Sequence, residues 1–429
     1  MGAAGPSRMA LADFERRCRE VLGSAHCRER GALDLEAGPG VLLDPADETQ
    51  VAAVLRLAEE RDLAVVPRGG GTKLEWGNAP QRVDAVLSTA RLSQVLEHAW
   101  SDLTVTVEAG CTVENLQRRL AQHRQRLAVD VLWPRTATVG GILSANDSGA
   151  LRLRYGGLRD LVIGATVVLA DGTVAKSGGK VVKNVAGYDI PKLVTGAFGT
   201  LGVITRATFR LHPLPHETRT LTIGPASAAE IADIAARIRA SPLTPSAVQI
   251  RLATGAGAEA DVLLEGTTEG VGEQEEEISG LCGAIRAAAG PTHAWQARER
   301  LWDQNAEGAI QDPAIVKISV LPTDISIVAS ILGKIEREYS ATWRAVIQAH
   351  GLGLVAVRAE GSRIVPLLAA LRSAVEERGG SLVILRRPPE ARGVDAWGAP
   401  GDALPLMRAV KAQLDPRGVL SPGRFVGGI

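Results

Sequence analysis

Two hydrophobic periods alternate along the first half of the chain. ETQVAAVLRLAEERD places Val51, Val54, Leu55 and Leu57 on one helical stripe. LAVVP follows as a short buried strand, and RVDAVLST and DLTVTVEAG alternate at period two as strands. Val113–Ala128 is amphipathic at helical period. LVIGATVVLADGTVAK reads as a hairpin turned at Asp171 and Gly172, and GVITRATFRLHPLP as a last strand ended by Pro213 and Pro215. Residues 1–41 form a charged helical lead-in, and 42–215 a mixed α/β domain.

A second pattern begins at His216. ETRTLTIG is a strand, and Ser227 with Glu230 makes a capping box for a helix carrying Ile231, Ile234, Ala235 and Ile238 on one face. SAVQIRLA, DVLLEGT, VKISVLP, GLVAVRAE and SLVILRR are strands, separated by helices from about Thr323 and up to Glu377, with Gly379 and Gly380 as a stop. Residues 253–312 are rich in Ala, Gly and Glu, and the acidic run at 273–277 reads as a solvated helix face or a tolerated insertion. This pattern predicts an antiparallel sheet with helices on one side over 216–412, and a Pro/Gly-punctuated, extended tail over 413–429 that returns to the first domain. The fold class expected is therefore α+β.

Three glycine-rich loops punctuate the first domain. PRGGGT (67–72) follows a strand, and successive amides without Cβ atoms can wrap an anion. On this loop alone, a tight turn and a phosphate nest remain open alternatives. PRTATVGGILSANDSG (134–149) adds hydroxyls at Thr136, Thr138, Ser144 and Ser148 beside Gly140, Gly141 and Gly149, the chemistry of a second phosphate and ribose clamp. GAFGTLGVIT (196–205) places glycines before Val203 and Ile204, where a planar ring fits beside flat backbone. A fourth stretch, Gly351, Gly353 and Ala356, imitates a dinucleotide fingerprint. That fingerprint needs a strand before it and a helix after it. Here a helical stretch precedes and a strand follows, so Gly351 reads as a helix stop.

Composition narrows the functional classes. The 429 residues are 45% apolar and 22% charged with a formal net charge of zero, which argues against nucleic acid or a polybasic membrane role. Aromatics are 3%, too few for base-stacking platforms. Cys18, Cys27, Cys111 and Cys282 make no metal-type cluster; Cys18 and Cys27 can pair, though reduced thiols are the default expectation. The N-terminus lacks an apolar signal region, and the apolar run Leu161–Ala170 is too short to span a bilayer. A cytoplasmic chain is expected, meeting the inner membrane only through partners.

The order PRGGGT, VEAGCTVENL, PRTATVGGILSANDSG, YGGLRDLVIGATVVLADG and KVVKNVAGYDIPKLVTGAFGTLGVIT, with LDPRGVLSPGR near the end, resembles the flavoproteins whose FAD domain is shared with vanillyl-alcohol oxidase and p-cresol methylhydroxylase (PCMH-type). KNVAGYD and GAFGTLGVIT look most like the FAD-binding E subunits of bacterial glycolate oxidases. The resemblance implies a two-part FAD domain followed by a substrate or cap domain. It implies that Pro67, Arg68, Gly69, Gly70, Gly71 and Thr72 wrap the FAD pyrophosphate. It implies a second FAD loop from Pro134, Thr138, Gly140, Gly141, Ser144, Ser148 and Gly149, with Gly199, Gly202, Val203 and Ile204 along the cofactor. Thr72 stands where covalent members of the superfamily can carry a histidine, which implies non-covalent FAD.

The resemblance also implies oxidation of a small 2-hydroxy acid such as glycolate, with a sister FAD subunit and an iron–sulfur subunit as partners. A non-catalytic flavin-binding scaffold and a stand-alone D-lactate-type dehydrogenase are the alternatives. Related dehydrogenases carry an HxGDGNxH-like element. None of His26, His98, His123, His212, His216, His293 and His350 sits in one, each reads as a lone surface or core histidine, and no metal site is expected. Ser421 replaces the usual Asn of the C-terminal element. Candidate proton acceptors are Lys183, Tyr188 and Asp189. For the last two, a role in fixing the loop under the flavin is an equal reading. Arg298 and Arg300 are candidates for a substrate carboxylate, with a solvated helix face as their default.

Overall fold

The apolar segments of the first half close into two sheets. In the computed structural model, which describes residues 8–29, 40–179, 187–306 and 308–429, β1 (Cys27–Glu29), β2 (Val41–Leu43), β3 (Val65–Arg68) and β4 (Ala85–Ser88) order as β1-β2-β4-β3. Both β2 and β3 run parallel to β4. Parallel neighbours need a crossover, and the helix Glu48–Glu60 supplies it between β2 and β3. Asp47 caps that helix by accepting from the Gln50 amide at 2.8 Å, and Val51, Val54, Leu55 and Ala58 are buried on its inner side.

β5 (Val95–Ala99), β6 (Thr104–Glu108), the short β7 (Gln125–Arg126), β8 (Val162–Val168), β9 (Val174–Gly178), β10 (Val203–Arg210) and β11 (His212–Pro213) follow. Five of them form an antiparallel sheet of order β5-β6-β10-β8-β9, and β7 pairs with β11 apart from it. Asp171 and Gly172 do turn the β8–β9 hairpin, with Gly172 at φ +79°. The helix expected over Val113–Ala128 stops at Ala121. Arg124 takes a left-handed φ of +53°, and Gln125 turns into β7, where its amide donates to Trp100 O at 2.6 Å and its oxygen meets His98.

The second half builds one sheet. β12 (Glu217–Ala226), β13 (Ala247–Ala253), β14 (Ala258–Gly266), β15 (Ala287–Ala289), β16 (Ala314–Ser319), β17 (Thr342–Gln348), β18 (Leu352–Arg358) and β19 (Ser381–Arg386) are antiparallel in the order β15-β12-β14-β13-β17-β18-β16-β19. Alternate residues such as Val248, Ile250, Val262, Val316, Ile347 and Val355 share one core with the helices Ala228–Ala240, Thr268–Cys282, Ile325–Tyr339 and Ile364–Glu376. Period-two alternation then leaves the opposite face to polar residues.

One expectation changes here, and one alternative is settled. A strand, β17, precedes Gly351, not a helix, so Gly351 turns a β-hairpin at φ +92°, and a Cβ there would lie 2.0 Å from Val320 O. TWRAVIQ is rich in β-branched and aromatic residues, and its pairing with β13 and β18 decides the matter. The acidic run lies on the helix Thr268–Cys282, which packs Val271, Ile278 and Cys282 inward, so it is the solvated face of a core helix and not an insertion.

The chain divides into two compact units. The first comprises the residues up to Ser148, Gly157–Leu214 and Ala399–Ile429; the second comprises Gly149–Gly156 and Pro215–Gly398. Two pieces of chain therefore fall outside the bounds expected from sequence. The helix Leu404–Leu414 belongs to the first unit, where Lys411 Nζ donates to Thr200 O at 2.7 Å and Leu420 O at 2.9 Å. The excursion 149–156 belongs to the second, where Arg154 donates to Thr244 O, Ser246 Oγ and Glu265 O at 3.2–3.3 Å.

Candidate functional site

β3 runs directly into Gly69, Gly70 and Gly71, and a cavity opens on that loop. Pro67–Leu74, Thr89, Thr138, Gly140, Gly141, Ser144, Ala145, Phe198, Gly199, Gly202, Val203, Ile204 and Arg424 line it. The three glycine loops, separated by about 60 residues each in sequence, thus meet around one space.

The glycines serve the fit of loop on loop. A Cβ on Gly70 would lie 1.8 Å from Thr136 O, and one on Gly69 2.1 Å from Thr138 Oγ1. Gly71 adopts φ +75°, which disfavours a side chain. Gly202 could not carry a Cβ either, since Val167 Cγ1 would be 2.3 Å away. Among the described residues, the amides of Gly70, Gly71 and Thr72 donate to no acceptor of the chain. Three successive such amides make a concave anion nest.

Side chains behind the loops hold them in place. Lys73 and Asp147 pair at 3.2 Å with both side chains almost wholly buried, and Lys73 Nζ lies 5.5 Å and 5.2 Å from the ring centres of Trp76 and Trp133. Asp147 also accepts from the Leu132 amide at 2.9 Å. Arg424 donates to Lys73 O at 2.9 Å and Leu74 O at 3.1 Å and covers the Phe198 ring at 5.7 Å. Burial pushes its pKa down to about 10, so it stays charged at neutral pH. Lys411, whose pKa burial lowers, ties the Thr200 turn to Asp415. Asp415 in turn receives the amides of Val419 and Leu420 at 2.8 Å.

Other residues proposed from sequence lie elsewhere. Pro134 does not line the cavity; its carbonyl accepts from the Glu114 amide at 2.9 Å. Ser148 and Gly149 do not line it either, though Ser148 keeps a buried hydroxyl without a partner. Asp189 caps the helix Ile190–Val194 and pairs with Lys192 at 2.8 Å, which holds its carboxyl below the usual range, and Tyr188 is 89% exposed. Neither reaches the cavity lining. Lys183 lies outside the described residues. Sequence reasoning missed Lys73, Leu74, Thr89, Ala145, Phe198 and Arg424. The only signal was for Arg424, the lone charge in the quoted SPGR element.

The second unit presents side chains. On the sheet face away from the helices, the fully buried Asp261 receives Gln249 Nε2 at 2.9 Å, Arg251 Nε at 2.7 Å and Thr222 Oγ1 at 2.8 Å. His350 follows β17 and bonds the Gly149 backbone, while its Nε2 is buried without a partner. Burial, reinforced by the charges of Arg152 and Arg298, pushes its pKa down to about 4. Arg298 is buried, which overturns its default reading as a solvated helix face; Arg300 is exposed. Among the described residues, no group of three or more His, Cys, Asp or Glu side chains is placed to hold a metal ion.

Residues 39–178 match the protein family described as FAD binding domain. The chain carries an FAD binding domain. FAD is its cofactor, and the nest at 70–72 and the glycine contacts fit that group. The chain is 26% identical over 423 residues to glycolate oxidase subunit GlcD of Bacillus subtilis (strain 168), covering 90% of this chain and 89% of that one. It is 29% identical to the mitochondrial D-2-hydroxyglutarate dehydrogenase of Bos taurus, covering 90% of this chain and 76% of the other. The fold is shared with p-cresol methylhydroxylase, at a TM-score of 0.76 and 16% identity over 98% of this chain and 97% of that one. It is shared also with alkyldihydroxyacetonephosphate synthase, at 0.76 and 15% over 99% and 88%. The chain thus carries an FAD binding domain and an antiparallel sheet with helices, as the α+β reading expects. No described helix is long and apolar enough to cross a membrane.

Proposed function

We propose that this chain is an FAD-dependent oxidoreductase that oxidises a small 2-hydroxy acid, glycolate first among the candidates, to the 2-oxo acid. The observation that carries this reading is the cavity where the three glycine loops meet, in a chain whose similarity to a glycolate oxidase subunit runs through 90% of its length. The Gly70–Thr72 amides would receive the diphosphate, and Gly199–Ile204 would run along the cofactor. Non-covalent attachment follows from Thr72 in place of a tethering histidine. Bound there, the flavin supplies a two-electron acceptor for the hydride of the carbinol carbon. The chain's residues bind and orient the acid beside it.

A second reading has its own support. The absent HxGDGNxH-like element favours a flavin-binding subunit that works within a complex, with a sister flavoprotein and an iron–sulfur subunit receiving electrons. In this reading the chain is cytoplasmic and reaches the inner membrane through those partners. A stand-alone D-lactate-type dehydrogenase is the third arrangement. Anaerobic addition of glycolate, D-lactate or D-2-hydroxyglutarate to the purified holoprotein separates them. Bleaching by glycolate alone supports the autonomous enzyme, and bleaching by D-lactate in preference supports the third arrangement. A flavin that stays oxidised until a sister subunit is added supports the scaffold and overturns the autonomous reading.

A further inference from the structure

A second cavity lies wholly within the second unit, at the sheet end where β13 begins and β17 finishes. Leu153, Arg154, Arg239, Leu243, Thr244 and Pro245 line it, and none of them lines the cavity at the glycine loops. Leu153 and Arg154 come from the excursion 149–156, Arg239 from the last turn of the helix Ala228–Ala240, and the rest from the loop that leads into β13. Leu153 and Leu243 pack against the core that the helices share with the sheet. The polar wall is two exposed guanidiniums. Arg154 Nη1 donates to Thr244 O, Ser246 Oγ and Glu265 O at 3.2–3.3 Å, and Arg239 Nη1 to Ala349 O at 3.1 Å. Each fork is thus held by one nitrogen, and among the described residues Nε and Nη2 of both donate to no acceptor of the chain. Neither arginine pairs with a carboxylate there. Glu265 meets Arg154 through its carbonyl, while its carboxylate accepts from Tyr155 Oη at 2.9 Å. Arg237 is neutralised by Asp233 at 3.0 Å, which leaves Arg239 as the uncompensated charge of that helix turn.

We propose that this cavity is a second ligand site, distinct from the flavin cavity, for a short aliphatic carboxylate. Arginine's planar fork matches a carboxylate, so Arg154 and Arg239 take the head group. Leu153, Leu243 and Pro245 cover the carbon chain, whose removal from water adds to the affinity. An anion without a chain keeps only the guanidinium contacts, and a neutral chain keeps only the apolar ones. A ligand held by both arginines also ties the excursion 149–156 to the end of the helix Ala228–Ala240.

The test is calorimetric titration of the FAD-loaded chain with hexanoate, with hexanol and inorganic sulfate as probes that lack the head group or the chain. Hexanoate should bind wild type at least tenfold more tightly than either. R239Q and R154Q should each weaken it tenfold or more at unchanged flavin content, and R237Q should leave it unaltered. Hydrogen exchange should slow across 150–156 and 239–245 on hexanoate addition, and saturating glycolate should leave hexanoate binding unchanged. Wild-type affinity in R239Q would overturn the site. Displacement of hexanoate by glycolate would place it in the substrate's site and overturn the proposal equally. Sulfate binding as tightly as hexanoate would overturn the role of the apolar wall. Arg239 is exposed and makes one backbone bond, so a folding failure of R154Q does not blunt the result.

Discussion

The FAD cradle of the first unit and the basic cluster of the second are built from different parts of the chain. The cradle is backbone: three amides without acceptors and glycines whose missing Cβ atoms let one loop lie on another. The cluster is side chain: an imidazole, His350, on which the charges of Arg152 and Arg298 act. A backbone site tolerates little change at its glycines, because their neighbours are other backbone atoms. A side-chain site can lose a member and leave the fold intact. Substitutions should therefore fail in different ways in the two units.

The largest effect is expected from Gly70→Asp. The new Cβ would overlap Thr136 O, so the two loops must separate before any ligand is involved. We expect the variant to purify without FAD and to melt lower than wild type, measured by the ratio of visible to ultraviolet absorbance and by a thermal scan. Stoichiometric flavin at an unchanged melting temperature would show that the loops do not need that contact. Next, Lys73→Met should cost about 3–5 kcal/mol in urea denaturation, since it strands the buried Asp147 carboxylate beneath the cradle. A double-mutant cycle with Asp147→Asn measures the coupling directly.

Asp261→Asn is the counterpart in the second unit. It removes the buried one of the two carboxylates that pair with Arg251, which keeps Glu259 at 2.7 Å, and should cost about 1–3 kcal/mol while flavin content stays at the wild-type value. Equal loss of flavin in this variant would erase the contrast between the units. His350 gives a smaller, pH-dependent signal. Its folded-state pKa lies at about 4 against 6.5 for an ordinary histidine, so the unfolded chain binds a proton that the folded chain refuses between those values. The charges of Arg152 and Arg298 act on the ring in the same direction as burial. Its contribution to stability is complete above pH 6.5 and is lost as pH falls toward 4. His350→Gln should flatten that part of the stability curve. The smallest effect is Glu275→Gln, which removes a half-exposed pair with Arg219 and should cost under about 1 kcal/mol.

The same contrast explains what could be read from the sequence. Backbone chemistry leaves a local signature, so 67–72, 138–149 and 199–204 stood out as glycine and hydroxyl runs, and most of their residues line one cavity. Their reasons did not show. From sequence, Gly70 reads as room for a diphosphate; its Cβ position points instead at Thr136. Side-chain convergence leaves no local signature. His350 and Arg298 look like isolated residues because nothing in the 51 intervening positions signals that the charge of Arg298 acts on the His350 ring. Lys73 was invisible for the same reason: Asp147 lies 74 residues away. Strand β17 was read as helix because alternation in a strand buried on both faces is weak, and Val346 and Gln348 are buried along with Ile347.

The central claim is that the Gly70–Thr72 amides receive the FAD diphosphate. A crystal structure of the FAD-loaded chain tests it most directly. The account predicts diphosphate oxygens within hydrogen-bond reach of those amides, at about 2.7–3.2 Å, with the cofactor running on past Gly199 and Ile204. A diphosphate bound elsewhere, with the three amides facing water, would contradict it.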